Sequence, residues 1–426
     1  MTNADDAVHK KLPGPLTIVL VLLWLSVFIN YVDRGNLSIA APMIKDELGL
    51  TGSQLGLLLS SFFWTYGFFQ MVSGWLVDRF NVNWIMAGGF FLWSAATSVT
   101  GVLHGFAALV VVRTVLGIGE SVAYPAYSNI LARHFPASRR GFANAVIASG
   151  LACGPAFGML LGGTLIARFG WRPFFIALGV VSLLWLAPWF RWMPRGPGIT
   201  PTHTGPSPSS LAILKQWPVW ATFIAHFCMS YPLYLLVTWL PFYLVRERHF
   251  SLQGMARIGG GVFLMQAVSS IVSGHLGDRW IADGGTPTRV HKTFMTAGMV
   301  GTGTFLVASA LVGNGACVVL LLLVGASLGM SLSHIFPMTQ RLAGPNAAGR
   351  WTGLQCAVGN YSGAAVSTLT GFLLDRTGHF VWAFAVTAGF CCLGMLGWLF
   401  LVGPIEPVNW GKKTAGPNLN AAPELA

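Results

Sequence analysis

The sequence predicts an all-α membrane protein in which 12 transmembrane helices form two pseudo-symmetric six-helix bundles, and three observations carry that prediction. Only 9% of the 426 residues are Asp, Glu, Lys or Arg, while 54% are apolar; a soluble domain carries about 25% charged residues. Apolar stretches of roughly 20 residues, the length that crosses a bilayer, recur about 12 times between residues 17 and 402. A short motif of the first half returns 200 positions later. This composition excludes an ordinary cytosolic globule, a disordered chain and a disulfide scaffold.

In chain order the apolar spans lie near 17–40, 53–77, 84–103, 107–130, 141–166 and 173–193, then 217–245, 254–277, 292–313, 315–340, 351–374 and 381–402. The expected organisation is an N-terminal bundle over 1–192, a Pro-, Gly-, Ser- and Thr-rich cytoplasmic linker over 193–218, a C-terminal bundle over 219–403 and a cytoplasmic tail over 404–426. With both termini in the cytoplasm, 16 Lys and Arg fall on that side and 6 on the other; Arg34, Arg113 and Arg257 remain within or at the edge of helices. That bias satisfies the positive-inside rule. The formal surplus of +12 is therefore topogenic, and no nucleic-acid partner is expected. The first 14 residues lack a cleavage site before a short apolar core, so the first helix reads as a start-transfer segment in the inner membrane.

The internal echo pairs Gly74-Trp-Leu-Val-Asp78-Arg79-Phe80 with Gly274-His-Leu-Gly-Asp278-Arg279-Trp280. A second pairs Tyr124-Pro125 with Phe336-Pro337, offset by 212. Two echoes near half the chain length imply two halves of common origin, the sequence sign of secondary transporters that bind substrate between rocking halves. In the repeated motif glycine permits close helix approach, and the Asp-Arg pair can latch onto a neighbouring helix end. Asp78, Arg79, Asp278 and Arg279 are thus expected to form a conformational latch for the outward-facing state.

Of 13 acidic residues only Asp33 and Glu120 lie within spans. An ionisable group at the bilayer centre costs at least about 2.5 kcal/mol and is retained mainly where it pairs or works. Arg34 adjoins Asp33, and Arg113 precedes Glu120 by seven residues, two helical turns along one face. Two acids and two bases sum to zero. Protonating Asp33 and Glu120 would leave Arg34 and Arg113 uncompensated, a cationic pocket suited to an anion; a purely structural quartet of ion pairs is the alternative. The second half lacks these charges: Glu120 corresponds to Leu332, and the seventh span has His226 but no Asp, Glu, Lys or Arg between Thr222 and Leu244. Neutral contacts from that half are expected from Ser331, Ser333, His334, Trp239 and Asn360. Helix five carries a small-residue stripe, Gly150, Gly154, Gly158 and Gly162, that can bend at Pro155.

With these residues in view, the chain resembles a major facilitator superfamily transporter over essentially its whole length, through Gly74-Trp-Leu-Val-Asp78-Arg79. More narrowly, Asn30-Tyr-Val-Asp33-Arg34-Gly-Asn36 with Arg113-x6-Glu120 resembles the anion:cation symporter family, which includes bacterial sugar-acid proton symporters and vesicular glutamate and sialic acid transporters. The resemblance implies that Asp33 and Glu120 couple protons, that Arg34 is a substrate-carboxylate or gating partner and that Arg113 is a coupling partner, both arginines being candidates to contact the substrate. It adds Tyr31, Tyr66, Ser331 and Ser333 to the substrate contacts. Where galactonate-type members have Gln, Trp and Asn, this chain has Leu151, His334 and Cys356. Losing two amides disfavours a polyhydroxylated substrate. The expected partners are a small organic anion, protons and membrane lipid around a monomer. No metal-ligand set, nucleophile elbow or nucleotide loop is present, so no cofactor and no enzymatic activity are expected. Proton-driven efflux of an amphipathic small molecule is the alternative function.

Overall fold

A computed structural model describes residues 14–193, 208–344, 347–408 and 410, and every regular element among them is helical. The N-terminal bundle comprises α1 (Gly14–Glu47), α2 (Gly52–Arg79), α3 (Val82–Thr100), the pair α4 (Phe106–Glu120) and α5 (Ala123–His134), the pair α6 (Ala137–Phe157) and α7 (Gly163–Phe169), and the pair α8 (Trp171–Leu183) and α9 (Leu186–Trp192). A short α10 (Ser210–Leu214) leads into the C-terminal bundle of α11 (Trp217–Arg246), α12 (Leu252–Ala282), α13 (Pro287–Leu311), α14 (Asn314–Ala343), α15 (Ala348–Thr377) and α16 (Val381–Leu396). Residues 194–207 of the expected linker, the tail from residue 411, and Lys10, Lys11, Arg195, Lys412 and Lys413 lie outside the described residues.

Ten of the twelve spans are apolar enough to cross a membrane on composition alone. The other two are α3 and α15, and α15 buries Gln355, Asn360, Ser362, Ser367 and Thr370 against other helices. The first helix runs past its expected end at 40 to Glu47, through Pro42. The breaks within paired spans have local causes. Pro125, in the first turn of α5, cannot donate to the carbonyl of Ser121 and separates α4 from α5. Pro155 precedes a π turn over Gly158–Gly162. The glycine stripe that ends there lies on α1: a Cβ at Gly150 would strike Val27, at Gly154 Tyr31, and at Gly162 Asn36. Close approach of these backbones fixes the face that α1 turns inward.

Three apolar cores hold the molecule. One lies within the N-terminal bundle, where Phe90, Trp185 and Trp189 stack with centroids 4.2 and 4.9 Å apart. A second lies within the C-terminal bundle around Met299, Met338 and Trp351. The third joins both bundles, bringing Leu37 to Ile44 of α1 and Leu55 to Leu59 of α2 against Tyr231 to Leu244 of α11. That shared core seals the end remote from the termini. Polar contacts cross the same seal: Ser38 Oγ donates to the Val237 carbonyl at 2.6 Å, and Arg246 donates to the Pro42 carbonyl and pairs with Asp46.

Candidate functional site

On α1, Asn30, Asp33 and Arg34 are spaced i, i+3, i+4 and share one inward face. All are buried. Arg34 Nη2 donates to Glu120 Oε2 at 2.9 Å and to Asn30 Oδ1 at 3.2 Å, and Arg34 Nε reaches the same Glu120 oxygen at 3.3 Å. The guanidinium also sits 4.5 Å from the Tyr66 ring centre and 4.6 Å from that of Tyr31, within cation–π range. Glu120 is fully buried at the end of α4, and its second oxygen, Oε1, has no hydrogen-bond partner.

The other two charges are arranged differently. Asp33 accepts a hydrogen bond from Thr97 of α3, whose buried face also carries Ser94 and Thr100. Arg113 is 4% exposed, yet it makes no hydrogen bond or ion pair among the described residues. Its guanidinium lies 5.1 Å from the Phe62 ring centre, and its Nε is unpartnered. The four charges therefore form one closed ion pair, Arg34 with Glu120, beside a carboxylate hydrogen-bonded to a hydroxyl and an arginine in direct contact with neither acid, which feels Asp33 and Glu120 only across a gap. Asp33 and Glu120 balance Arg113 only at a distance, so its guanidinium is the one an incoming anion can engage without first breaking a salt bridge.

Phe62 and Tyr66 stack one helical turn apart on α2 with centroids 5.2 Å apart, which forms the wall against which both guanidiniums lie. The next residue, Phe63, meets Tyr234 of α11 edge-on at 4.8 Å. Tyr234 donates to Asn360 Oδ1 at 2.5 Å, and Asn360 Nδ2 donates to Gln70 Oε1 at 3.1 Å. Asn360 thus joins the bundles one turn along α2 from Tyr66. Sequence reasoning missed Thr97, Phe62, Gln70 and Tyr234. The available signals were the polar face of α3 and the four-residue spacing of Phe62, Tyr66 and Gln70.

The structure does not bring Ser331, Ser333 or His334 to the arginines. Ser331 is fully buried and donates weakly to the Met295 and Ser327 carbonyls, in the gap left by Gly298. His334 fills the gap left by Gly277, stacks on Phe294 at 4.7 Å and shares a hydrogen bond with His291, Nδ1 to Nδ1, at 3.0 Å. Ser333 pairs with Ser273 at 2.9 Å. The expected single face for Ser331 and His334 exists, but the two glycines turn it toward α12 and α13. Trp239 is likewise fully buried, against Phe242 and Phe380. Asp78, Arg79, Asp278 and Arg279 are exposed at the end that carries the termini. There Asp78 accepts from Asn129 of its own bundle at 3.0 Å.

Two apolar helical bundles joined by a shared core, with four charges buried in one of them, are the arrangement of a membrane transporter. The sequence profile of the Major Facilitator Superfamily matches residues 23–368, and the chain belongs to that family. It is 29% identical over 423 residues to the "Probable sulfoacetate transporter SauU" of Cupriavidus necator, covering 95% of this chain and 98% of that one. It is 31% identical over 410 residues to the "Ascorbate transporter, chloroplastic" of Arabidopsis thaliana, covering 91% and 75%. A crystal structure of a bacterial homolog of the human lysosomal transporter Spinster, inward-facing and occupied, superposes with a TM-score of 0.79 at 15% identity, covering 92% of this chain and 97% of that one. At that identity it shows the shared fold.

Proposed function

We propose that this transporter carries a small organic carboxylate anion together with protons across the cytoplasmic membrane by alternating access, with both termini in the cytoplasm. The observation that carries the reading is the uneven pairing of the buried charges. Glu120 holds Arg34 at 2.9 Å, whereas Arg113 makes no ion pair in direct contact. Protonation of Glu120 releases Arg34, and two guanidiniums over one aromatic wall then present a site for a carboxylate. Asp33, on Thr97, is the second proton carrier. Tyr31 and Tyr66 shape the pocket, and Asn360 with Tyr234 answers from the opposite bundle. Relatives named for sulfoacetate and ascorbate support an anionic substrate, and the Lys and Arg bias supports the orientation.

The test uses proteoliposomes under an imposed pH gradient, with carboxylates first selected by the rise they cause in thermal stability. Glu120→Gln should abolish gradient-driven accumulation while leaving counterflow exchange of the same anion. Accumulation that survives in Glu120→Gln would remove the proton-coupling role from this residue.

A further inference from the structure

The sealed end of the molecule contains a copy of the motif that the sequence places at the other end. Gly371-Phe-Leu-Leu-Asp375-Arg376 closes α15 with the same Gly-x-x-x-Asp-Arg pattern as Gly74 to Arg79 and Gly274 to Arg279. In the structure this copy docks on the opposite bundle. Asp375 Oδ1 accepts the Gly52 N–H at 2.6 Å, and Oδ2 accepts the Ser53 N–H at 2.7 Å.

The first turn of a helix leaves its N–H groups without intrahelical acceptors. Thr51 and Gln54 satisfy each other in a capping box at the start of α2, with bonds of 3.1 and 2.9 Å. Only the N–H groups between them remain, and Asp375 takes both. Glycine makes the approach possible: a Cβ at Gly56 would overlap the Ser367 carbonyl, and one at Gly371 the Gly52 carbonyl. At the end that carries the termini the arrangement is absent. A Cβ at Gly74 or at Gly353 would meet nothing within 4 Å, and Asp78 is bound within its own bundle.

The pattern has a fourth position. Gly163-Thr-Leu-Ile-Ala167-Arg168 ends α7 and bears Ala where the others bear Asp. A Cβ at Gly163 would strike Ala256 of α12, which stands four residues after the first residue of its helix, as Gly56 does in α2. The seal therefore has two equivalent seams, of which one carries a carboxylate.

We propose that Asp375 is a latch for the state in which the end remote from the termini is closed, opposing the Asp78 and Asp278 copies that serve the other state. This rests on alternation between two states and is independent of which anion or ion is carried. Hydrogen–deuterium exchange of the full-length protein in lipid nanodiscs, without substrate, reads it directly. Loss of a helix cap changes an equilibrium by about 2- to 30-fold. Asp375→Asn should speed exchange over residues 51–56 by that order and at the same time slow exchange over 76–84 and 277–287, as the population moves to the opposite state. Faster exchange confined to 51–56 would reduce Asp375 to a local cap and overturn the proposal. If Asp375→Asn does not accumulate as folded protein, Ala167→Asp supplies the reverse test. It should slow exchange over 251–256 and speed it over 76–84 and 277–287; an unchanged second region overturns the latch equally. The accumulation assay on Glu120→Gln reads separately, so the two ideas can fail independently.

Discussion

The two bundles repeat one architecture around different interiors. In the N-terminal bundle Arg113 of α4 reaches Phe62 of α2. At the corresponding place in the C-terminal bundle, 212 and 200 residues on, Gly325 of α14 lies so close to Val262 of α12 that a Cβ would strike the Val262 carbonyl. One turn further Gly117 meets Phe62 and Tyr66, and its counterpart Gly329 meets Gln266, the counterpart of Tyr66. The same helix pair thus closes on backbone at both turns in the C-terminal half, but at only one in the N-terminal half, where Arg113 occupies the other. Among the described residues the buried Asp, Glu and Arg all lie in the N-terminal bundle, while the C-terminal bundle buries neutral polar groups and the His291–His334 pair.

The most damaging way to break that difference is Arg34→Ala. It leaves Glu120 buried without its partner, a defect that costs about 3–5 kcal/mol, visible as a large fall in thermal stability in detergent. Adding Glu120→Gln to Arg34→Ala should restore most of that loss while transport stays absent. If the double variant is no more stable than the single one, the pair does not hold the N-terminal interior in the way its geometry implies.

A smaller and more discriminating change is Arg113→Gln. Because Arg113 makes no ion pair in direct contact in this state, its removal should lower stability by no more than about 1 kcal/mol, the scale of a single interaction. It should nevertheless raise the KM for the anion about tenfold or more in the proteoliposome assay. Equal stability losses for Arg34→Ala and Arg113→Gln would mean that both arginines are structural, and the distinction between them would fall.

Much of this was legible in the sequence because charge inside a bilayer is expensive and therefore conspicuous. Asp33, Arg34, Arg113 and Glu120 stood out against an apolar background, and the repeat announced two halves. The partners of those charges were hidden for the converse reason. Thr97, Phe62 and Tyr234 are residue types that apolar helices use everywhere, so nothing in their identity separates a hydroxyl on a carboxylate from one on a backbone carbonyl. Which ion pair forms was also invisible: Arg113 and Glu120 share a helix face, but Arg34 from another helix takes the carboxylate. The spacing of Ser331 and His334 fixed their common face correctly and said nothing about the helix it meets. That was decided by Gly298 and Gly277, whose missing side chains leave the recesses these residues fill.

The gentlest test falls on that face. Ser331 donates only long bonds of 3.4 Å to two carbonyls inside its own bundle, so Ser331→Ala removes little beyond a hydroxyl that α13 and α14 already enclose. Its stability should change by less than about 1 kcal/mol, with KM and maximal rate for the anion unchanged. A tenfold rise in KM with stability intact would instead extend the site onto α14 and add a second contact from the C-terminal bundle to that of Asn360. The contrast between a half with buried charges and a half without them would then have to be redrawn around Ser331 as well as Asn360.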